Sequence, residues 1–514
     1  MKKLIVIFLT LLLTACNTTT STTKEQALHF GMTSSIEHFN PILTEDGHSE
    51  LISLVYRGLM KQTENNEVVG DLAKNFVVSE DELQYTFTLQ KASWHDREPI
   101  TAKDVVYTIE EILKKENASP YYSDFQTVKT VEAIDKETVK ITLREQTPTL
   151  LNKLKVGIIP KHIYEKEDLL TAKANKNPIG NGPYKLTEWL ADDVLTFEVN
   201  EAFYGQTPSI SKLVVYTKLD ENTKLLRLQT GDLHITQITP KQMTTVEKIK
   251  TYQIKQLPTA DYRALQFNQQ HEQLSDVRVR TAINHFIDRE QIQKLVLQNS
   301  GELAYGPLQQ SFARYDSKAY RLDVEKAEQL LAEAGYQKQK KYYEKNRQAL
   351  QFEVVAPVTD PIRVAMATVI VEQLNVHGIK AQLQTKDWAN IAIEKEDAFM
   401  IGWGSEDDPD THTYRVFHSS EHAPVGYNYA LVSNEKIDRA LETAKMGSKH
   451  DRAEAYITFQ KELEQEMAFS FLLYLDGIYA VANGLHGIRD KTLGHNGFGL
   501  FWNIEYWEWE DEDV

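Results

Sequence analysis

The chain has 514 residues and a single cysteine, Cys16. No disulfide can form within it, so the fold must rest on its hydrophobic core alone. The cysteine closes a patterned leader. Lys2 and Lys3 precede the apolar run 4–13 (LIVIFLTLLL), and the small residues Thr14 and Ala15 lead into Cys16. Charge, apolar run and small residues in that order make a secretory signal peptide. The run is about half the roughly 20 residues that a membrane-crossing helix needs. Residues 17–26 (NTTTSTTKEQ) are polar and low in complexity. Such a segment has too little apolar surface to order itself and reads as a flexible tether. A patterned chain begins near Ala27.

The string LTAC resembles the bacterial lipobox, in which the cysteine is lipidated and becomes the new N-terminus. Cleavage before Cys16 and a lipid on its sulfur are therefore expected. This would place the mature chain on the extracytoplasmic face of the cell membrane, held by its anchor. The formal charge is −17, and the leader carries two lysines and no acid, so its removal leaves −19. That balance argues against nucleic acid or an anionic lipid surface as the bound partner. Seven Trp and 24 Tyr offer rigid aromatic surface for a ligand cleft, although most will lie in the core.

The pattern is mixed α and β. Strands are predicted at 28–33, 83–90, twice within 127–145, after a loop within 204–218, and at 351–357, 379–385 and 398–404. Helices are predicted at 48–60, 101–113, 276–298, 326–336 and 361–377. Thr101 with Asp104 three residues on has the form of a capping box. Gly335 closes the helix before it. The strand–helix–strand order over 351–385 predicts a parallel unit. The C-terminal FWNIEYWEWEDEDV is read as a closing strand and a solvated acidic end.

Taken in order, the segments resemble the family 5 extracellular solute-binding proteins of ABC importers, the peptide- and nickel-binding class. The matching pieces are FNP (39–41), LVYRGLM (54–60), 70–110, PIGNGPYKLTEW (178–189), 200–215, LQTGDLHI (228–235), DVRVRTAINHFIDRE (276–290), KAEQLLAEAGY (326–336) and WGSEDDPD (403–410). Where that family has glycine in an HDG turn, this chain has Arg97. The resemblance implies an α/β, bilobed periplasmic-binding-protein-like fold with an extra domain and a ligand cleft between two lobes. Residues 27–55, 178–258 and 484–514 would form lobe I, 56–177 the extra domain and 259–483 lobe II. It implies a monomeric receptor, not an enzyme, that hands a short peptide to the membrane permease.

The segment 400–430 carries the candidate site. A strand ends at Trp403, and Glu406, Asp407, Asp408 and Asp410 follow. Carboxylates at a strand end in an open α/β lobe lie near the ligand crevice. In peptide-binding relatives an acidic residue of this loop pairs with the ligand's ammonium, so Glu406, Asp407 and Asp408 are candidates, with Trp403 adding apolar contact. Asn40, Arg415 and Tyr427 are further ligand-binding candidates; for Arg415, neutralising the acidic loop is the favoured role over meeting a ligand carboxylate. No cofactor is expected under the peptide reading. In nickel-binding relatives a histidine beyond the equivalent proline serves the metal or its chelator. His418 and His422 would take that role in the alternative, a receptor for nickel or a metal chelate. HSSEH (418–422) also matches H-x-x-E-H, the pattern of a metallohydrolase. The two serines within it and Pro424 and Gly426 after it argue against the helix which that chemistry needs.

Overall fold

A computed structural model describes residues 27–44, 50–190, 193–309, 311–404, 408–447 and 449–510. Ten strands run side by side through the molecule: β1 Leu28–Gly31, β2 Tyr184–Leu190, β3 Val194–Val199, β4 Lys212–Tyr216, β5 Ile235–Gln237, β6 Tyr252–Phe267, β7 Gln351–Pro357, β8 Lys380–Lys386, β9 Ala398–Trp403 and β10 Phe469–Ala482. Their spatial order is β8-β7-β9-β6-β10-β5-β1-β4-β3-β2, and Glu302–Leu303 adds a short strand on β10. β7 and β8 are parallel and joined by the helix Pro361–His377, so the expected parallel unit is present.

β6 and β10 are antiparallel and pass through both halves of the sheet. The first half of β6, Tyr252–Pro258, faces Ala482–Asp476; the second, from Tyr262, faces β10 from Tyr474 back and also β9. The register shifts between Pro258 and Tyr262. Beyond that break the core divides. One cluster joins β1, β3 and β4 to the extra domain and the C-terminal segment. The other side carries a core on each face of the sheet. One core packs against helices Val277–Phe286, Val324–Glu333 and Pro361–His377, the other against Asp410–Phe417, Glu435–Met446 and Lys449–Glu466. The stretch 477–482, grouped above with lobe II, lies on the lobe I side, because Tyr479–Val481 pair with β5.

The extra domain is a four-stranded antiparallel sheet, in the order Ala73–Val78, Gln84–Leu89, Thr138–Leu143, Val128–Ala133, covered by the helix Ala102–Ile112. Its predicted capping box is formed: Thr101 N donates to the Asp104 carboxylate at 2.8 Å. Arg97 is exposed and takes a left-handed φ of +74°, the conformation that glycine adopts at least cost.

Three predicted elements come out differently. The helix expected over 48–60 is only Ile52–Val55. The carbonyl of Val55 accepts from Gly182 N at 2.8 Å instead of from a later turn, and Arg57 N donates to Asn181 at 2.8 Å. The stretch 276–298 is two helices, Val277–Phe286 and Arg289–Val296, because Asp288 caps the second by accepting from Gln291 N. The C-terminal strand is a run of 3-10 turns over Leu500–Tyr506, followed by two paired residues, Glu508 and Trp509. Glu505 is drawn inward by Arg57, at 2.6 Å, and Trp507 is buried with its indole N–H on Asn503 at 3.0 Å.

The Gly/Pro-rich break at 177–183 is thus an inter-segment seam. A Cβ on Gly180 would run into the carbonyl of Val55. Gly180→Ala should cost about 2–3 kcal/mol of stability in urea unfolding. A loss under about 0.5 kcal/mol would show that the seam yields freely.

Candidate functional site

The site is built where β9 ends and β6 crosses between the halves. Trp403 faces Tyr262, and Gly402 faces Arg263 on the next rung. Side chains alternate along a strand, so Trp403 and Tyr262 share one sheet face and Arg263 takes the other. Gly402 leaves room there. A Cβ on it would strike the Arg263 guanidinium and lie 3.0 Å from Nη2 of Arg363, which enters from the first turn of the helix Pro361–His377. Both arginines are buried.

Two carboxylates serve this pair. Arg363 Nε lies 3.0 Å from Asp360, and Arg263 Nη2 lies 4.0 Å from it. Arg263 also pairs closely with Asp261. Asp261 in turn receives Asn496 N at 3.2 Å and pairs with His495 Nδ1 at 2.9 Å, both from the C-terminal loop. Burial alone would raise the Asp261 pKa, but Arg263 and His495 hold it well below the usual carboxylate range. Burial, and then the neighbouring Arg263 charge, bring Arg363 down to about 10. Two guanidinium groups so placed favour a further anion beside them.

On the other face, Trp403 stacks on Tyr427, with ring centres 5.1 Å apart. The Arg415 guanidinium lies 4.2 Å from the Tyr427 ring centre. Trp403 Nε1, Tyr262 Oη and Arg263 Nε are buried without a hydrogen-bond partner among the described residues. His412, in the first turn of Asp410–Phe417, is buried 6.0 Å from Tyr262, ring to ring. Burial, and then the charge of His495, lower its pKa to about 3.

The other candidates fall elsewhere. Asp408 is not a free anchor: it is buried, pairs closely with Arg452, and accepts from Asn152 Nδ2 at 3.3 Å and from Asp410 N at 2.9 Å. Asn40 is fully buried rather than cleft-facing, with its amide donating to Asn175 and accepting from Ile42 N. Glu406, Asp407 and Cys16 lie outside the described residues. His418 is buried, stacks on Tyr414 at 4.3 Å and accepts from Ser420 N; His422 Nε2 donates to the Val432 carbonyl at 2.8 Å. Between these two histidines runs a single 3-10 turn, Ser419–Glu421, so H-x-x-E-H does not share a helix face. Among the described residues no group of three or more His, Cys, Asp or Glu could hold a metal ion. Arg263, Arg363, Asp261, His412 and His495 were not singled out from the sequence; the one local sign was a charged D-Y-R in an apolar strand.

The model of the bacterial extracellular solute-binding proteins, family 5, matches residues 67–423. The chain belongs to this family. Its members are solute-binding receptors of ABC importers, not enzymes. The oligopeptide-binding protein AppA of Bacillus subtilis is 26% identical over 484 residues, covering 90% of this chain and 88% of that protein. Its crystal structure with a nonapeptide aligns over 95% of this chain and 99% of the other at a TM-score of 0.78. The structure of NikZ from Campylobacter jejuni in complex with Ni(L-His) is 35% identical, covers 94% of this chain and 99% of the other, and has a TM-score of 0.85.

The low pKa of His412 gives a pH dependence. The unfolded chain takes up a proton near pH 6.5 that the folded chain refuses until about pH 3. The contribution of His412 is therefore complete above pH 6.5 and is lost as pH falls, by about 2 kcal/mol between pH 6.5 and 5. A His412→Gln variant should show a shallower loss of stability over that interval in urea titrations. Parallel profiles for the two proteins would contradict the assignment.

Proposed function

We propose that this family 5 receptor captures short peptides on the extracytoplasmic face of the membrane, held there by a lipid on Cys16, and delivers them to an ABC permease. The observation that carries the peptide reading is the pair Arg263 and Arg363 converging over Gly402. Planar guanidinium groups match a carboxylate bidentately, as a peptide C-terminus requires. The Trp403–Tyr427 stack supplies rigid apolar surface for a side chain. With Asp408 engaged by Arg452, the ammonium falls to Glu406 or Asp407. The likeness to an oligopeptide-binding protein over nine-tenths of the chain supports this reading.

A second reading, a receptor for a metal chelated by an amino acid, is favoured by His495. Its Nδ1 is fixed by a carboxylate, as metal-ligating imidazoles commonly are, and it lies close enough to His412 to perturb it. The likeness to NikZ supports the same reading.

Thermal melting with a pool of di- to pentapeptides, and separately with nickel plus L-histidine, distinguishes the two. The peptide pool should raise the melting temperature by several degrees at saturation, and His495→Ala should leave that rise intact. Stabilisation by nickel–histidine alone, lost in His495→Ala, would overturn the peptide reading. For the anchor, Cys16→Ser should move the chain from the membrane fraction to the soluble extracytoplasmic fraction. Continued membrane association would refute the lipid.

A further inference from the structure

The hairpin that leads into β7 departs from the charge of the rest of the chain. Its strands are Gln337–Gln339, Tyr342–Lys345 and Gln348–Ala349. Lys338, Lys340, Lys341, Lys345 and Arg347 all stand exposed on it, against one acid, Glu344, in a chain of net charge −17. The five cations have no carboxylate within ion-pairing distance among the described residues. Three of them instead lie over tyrosines: Lys338 over Tyr343 at 5.4 Å, Lys341 over Tyr342 at 5.1 Å and Lys345 over Tyr336 at 5.7 Å. Such contacts steady a lysine without neutralising it.

The backbone adds a second observation. The two-residue turn Asn346–Arg347 has φ of +53° and +66°, and Lys340 in the other turn has +53°. Such turns prefer glycine at the second position, and a side chain there is strained. Cations therefore occupy positions where local stability favours glycine. The hairpin is also firmly placed: Tyr343 N donates to the Gly378 carbonyl at 2.8 Å and its hydroxyl to Glu328 at 3.2 Å. A polar hollow of 390 Å³ on the hairpin is lined by Gly335, Gln337, Gln339, Glu344, Lys345, Asn346 and Arg347. Amide donors beside cations are suited to phosphate oxygens.

We propose that this hairpin is a binding site for a phosphate-bearing polyanion of the cell envelope, separate from the ligand cleft. Its position selects a polymer over the membrane's own headgroups, and that selection rests on the lipid anchor proposed above. Leu28 is level with the Tyr252 end of β6, through Phe30–Ile235 and Ile235–Val481. The hairpin lies beyond the Phe267 end, because β7 starts just past the Phe267–Ala398 pair. The 16 residues of β6 separate the two poles by roughly 50 Å. The ten tether residues reach about 34 Å fully extended. The basic pole is thus the end of the sheet opposite the anchored one, and in an upright orientation it meets material outside the membrane. The acidic remainder of the surface would repel a polyanion, which confines binding to the hairpin.

Three measurements test the site. First, the mature chain is titrated with a short polyphosphate at low and moderate salt. The expected result is binding that weakens with salt and falls at least tenfold in the variant Lys340→Ser, Lys341→Ser, Lys345→Ser, Arg347→Ser, whose melting temperature and cleft-ligand response stay those of the parent. Equal affinity of parent and variant would overturn the proposal. Second, inorganic phosphate replaces polyphosphate. Equal occupancy at matched phosphate concentration would reduce the site to a small-anion site and overturn the polymer. Third, lipidated chain on phosphatidylglycerol vesicles is treated with a lysine-acetylating reagent. Lys340, Lys341 and Lys345 should be modified as in solution and become protected when polyphosphate is added. Protection by vesicles alone would assign the site to headgroups. Failure of the lipid anchor would appear in Cys16→Ser fractionation and would leave the polyphosphate titration unaffected.

Discussion

The two-stranded ribbon of β6 and β10 is the constraint on which the rest of the structure depends. Among the described residues it is the one pair of strands that runs through both halves of the sheet, and it carries a register break between Pro258 and Tyr262. At that break the backbone leaves the ladder for other partners: Ala260 N donates to Leu493 O at 2.7 Å and Leu493 N to Pro258 O at 2.8 Å. Strand interiors resist bending because each residue is tied on both sides; a bulge relaxes that tie. The ladder of the ribbon is interrupted here, and shifts register again between Arg263 and Ala264. The interruption is also where Asp261 joins Arg263 on one side to His495 on the other. A ligand that adds contacts at this point favours closure, and one without differential contacts there changes nothing.

The same logic explains what the sequence disclosed. The helix 102–112 and the parallel unit over 351–386 were readable because their determinants are local: a capping box in one, strand–helix–strand periodicity in the other. The helix at 48–60 was misread because what stops it is distant, Gly182 and Asn181 meeting Val55 and Arg57 more than 120 residues away. The site divided similarly. Trp403 was visible at the end of an apolar strand, but Asp408 looked like a free anchor until Arg452, far along the chain, was seen to neutralise it. Arg263 and Arg363 carry no local motif at all. Their convergence follows from the register that sets Gly402 opposite Arg263, and pairing register is not written in either segment alone.

Buried charge also fuses the extra domain to lobe I. Arg57 pairs with Glu505 at 2.6 Å and lies 3.9 Å from Asp71, whose other oxygen accepts from Tyr204 at 3.1 Å. Residues from the extra domain, the middle of the chain and its C-terminus thus share one buried network. Breaking a buried ion pair by removing one partner costs several kcal/mol, since it strands a charge in a low dielectric. These segments accordingly pack as one body around a shared core.

Buried arginines are used here in two ways. Arg280 donates to the carbonyls of Leu274, Ser275 and Met467, and Arg289 to those of Phe471 and Ile287, so each binds loops to β10 or its approach without a carboxylate partner. Burial lowers both to about 10. Arg263 and Arg363 share this buried condition but differ in facing each other, and mutual repulsion is added to desolvation. Multiple carbonyls satisfy Arg280 and Arg289 and leave nothing for a ligand to supply. The Arg263–Arg363 pair is met by the carboxylates of Asp261 and Asp360, yet Arg263 Nε is left without a hydrogen-bond partner among the described residues. An anionic group brought to it gains Coulomb energy where water is already excluded. On the acidic outer surface away from the basic hairpin the same group would be repelled.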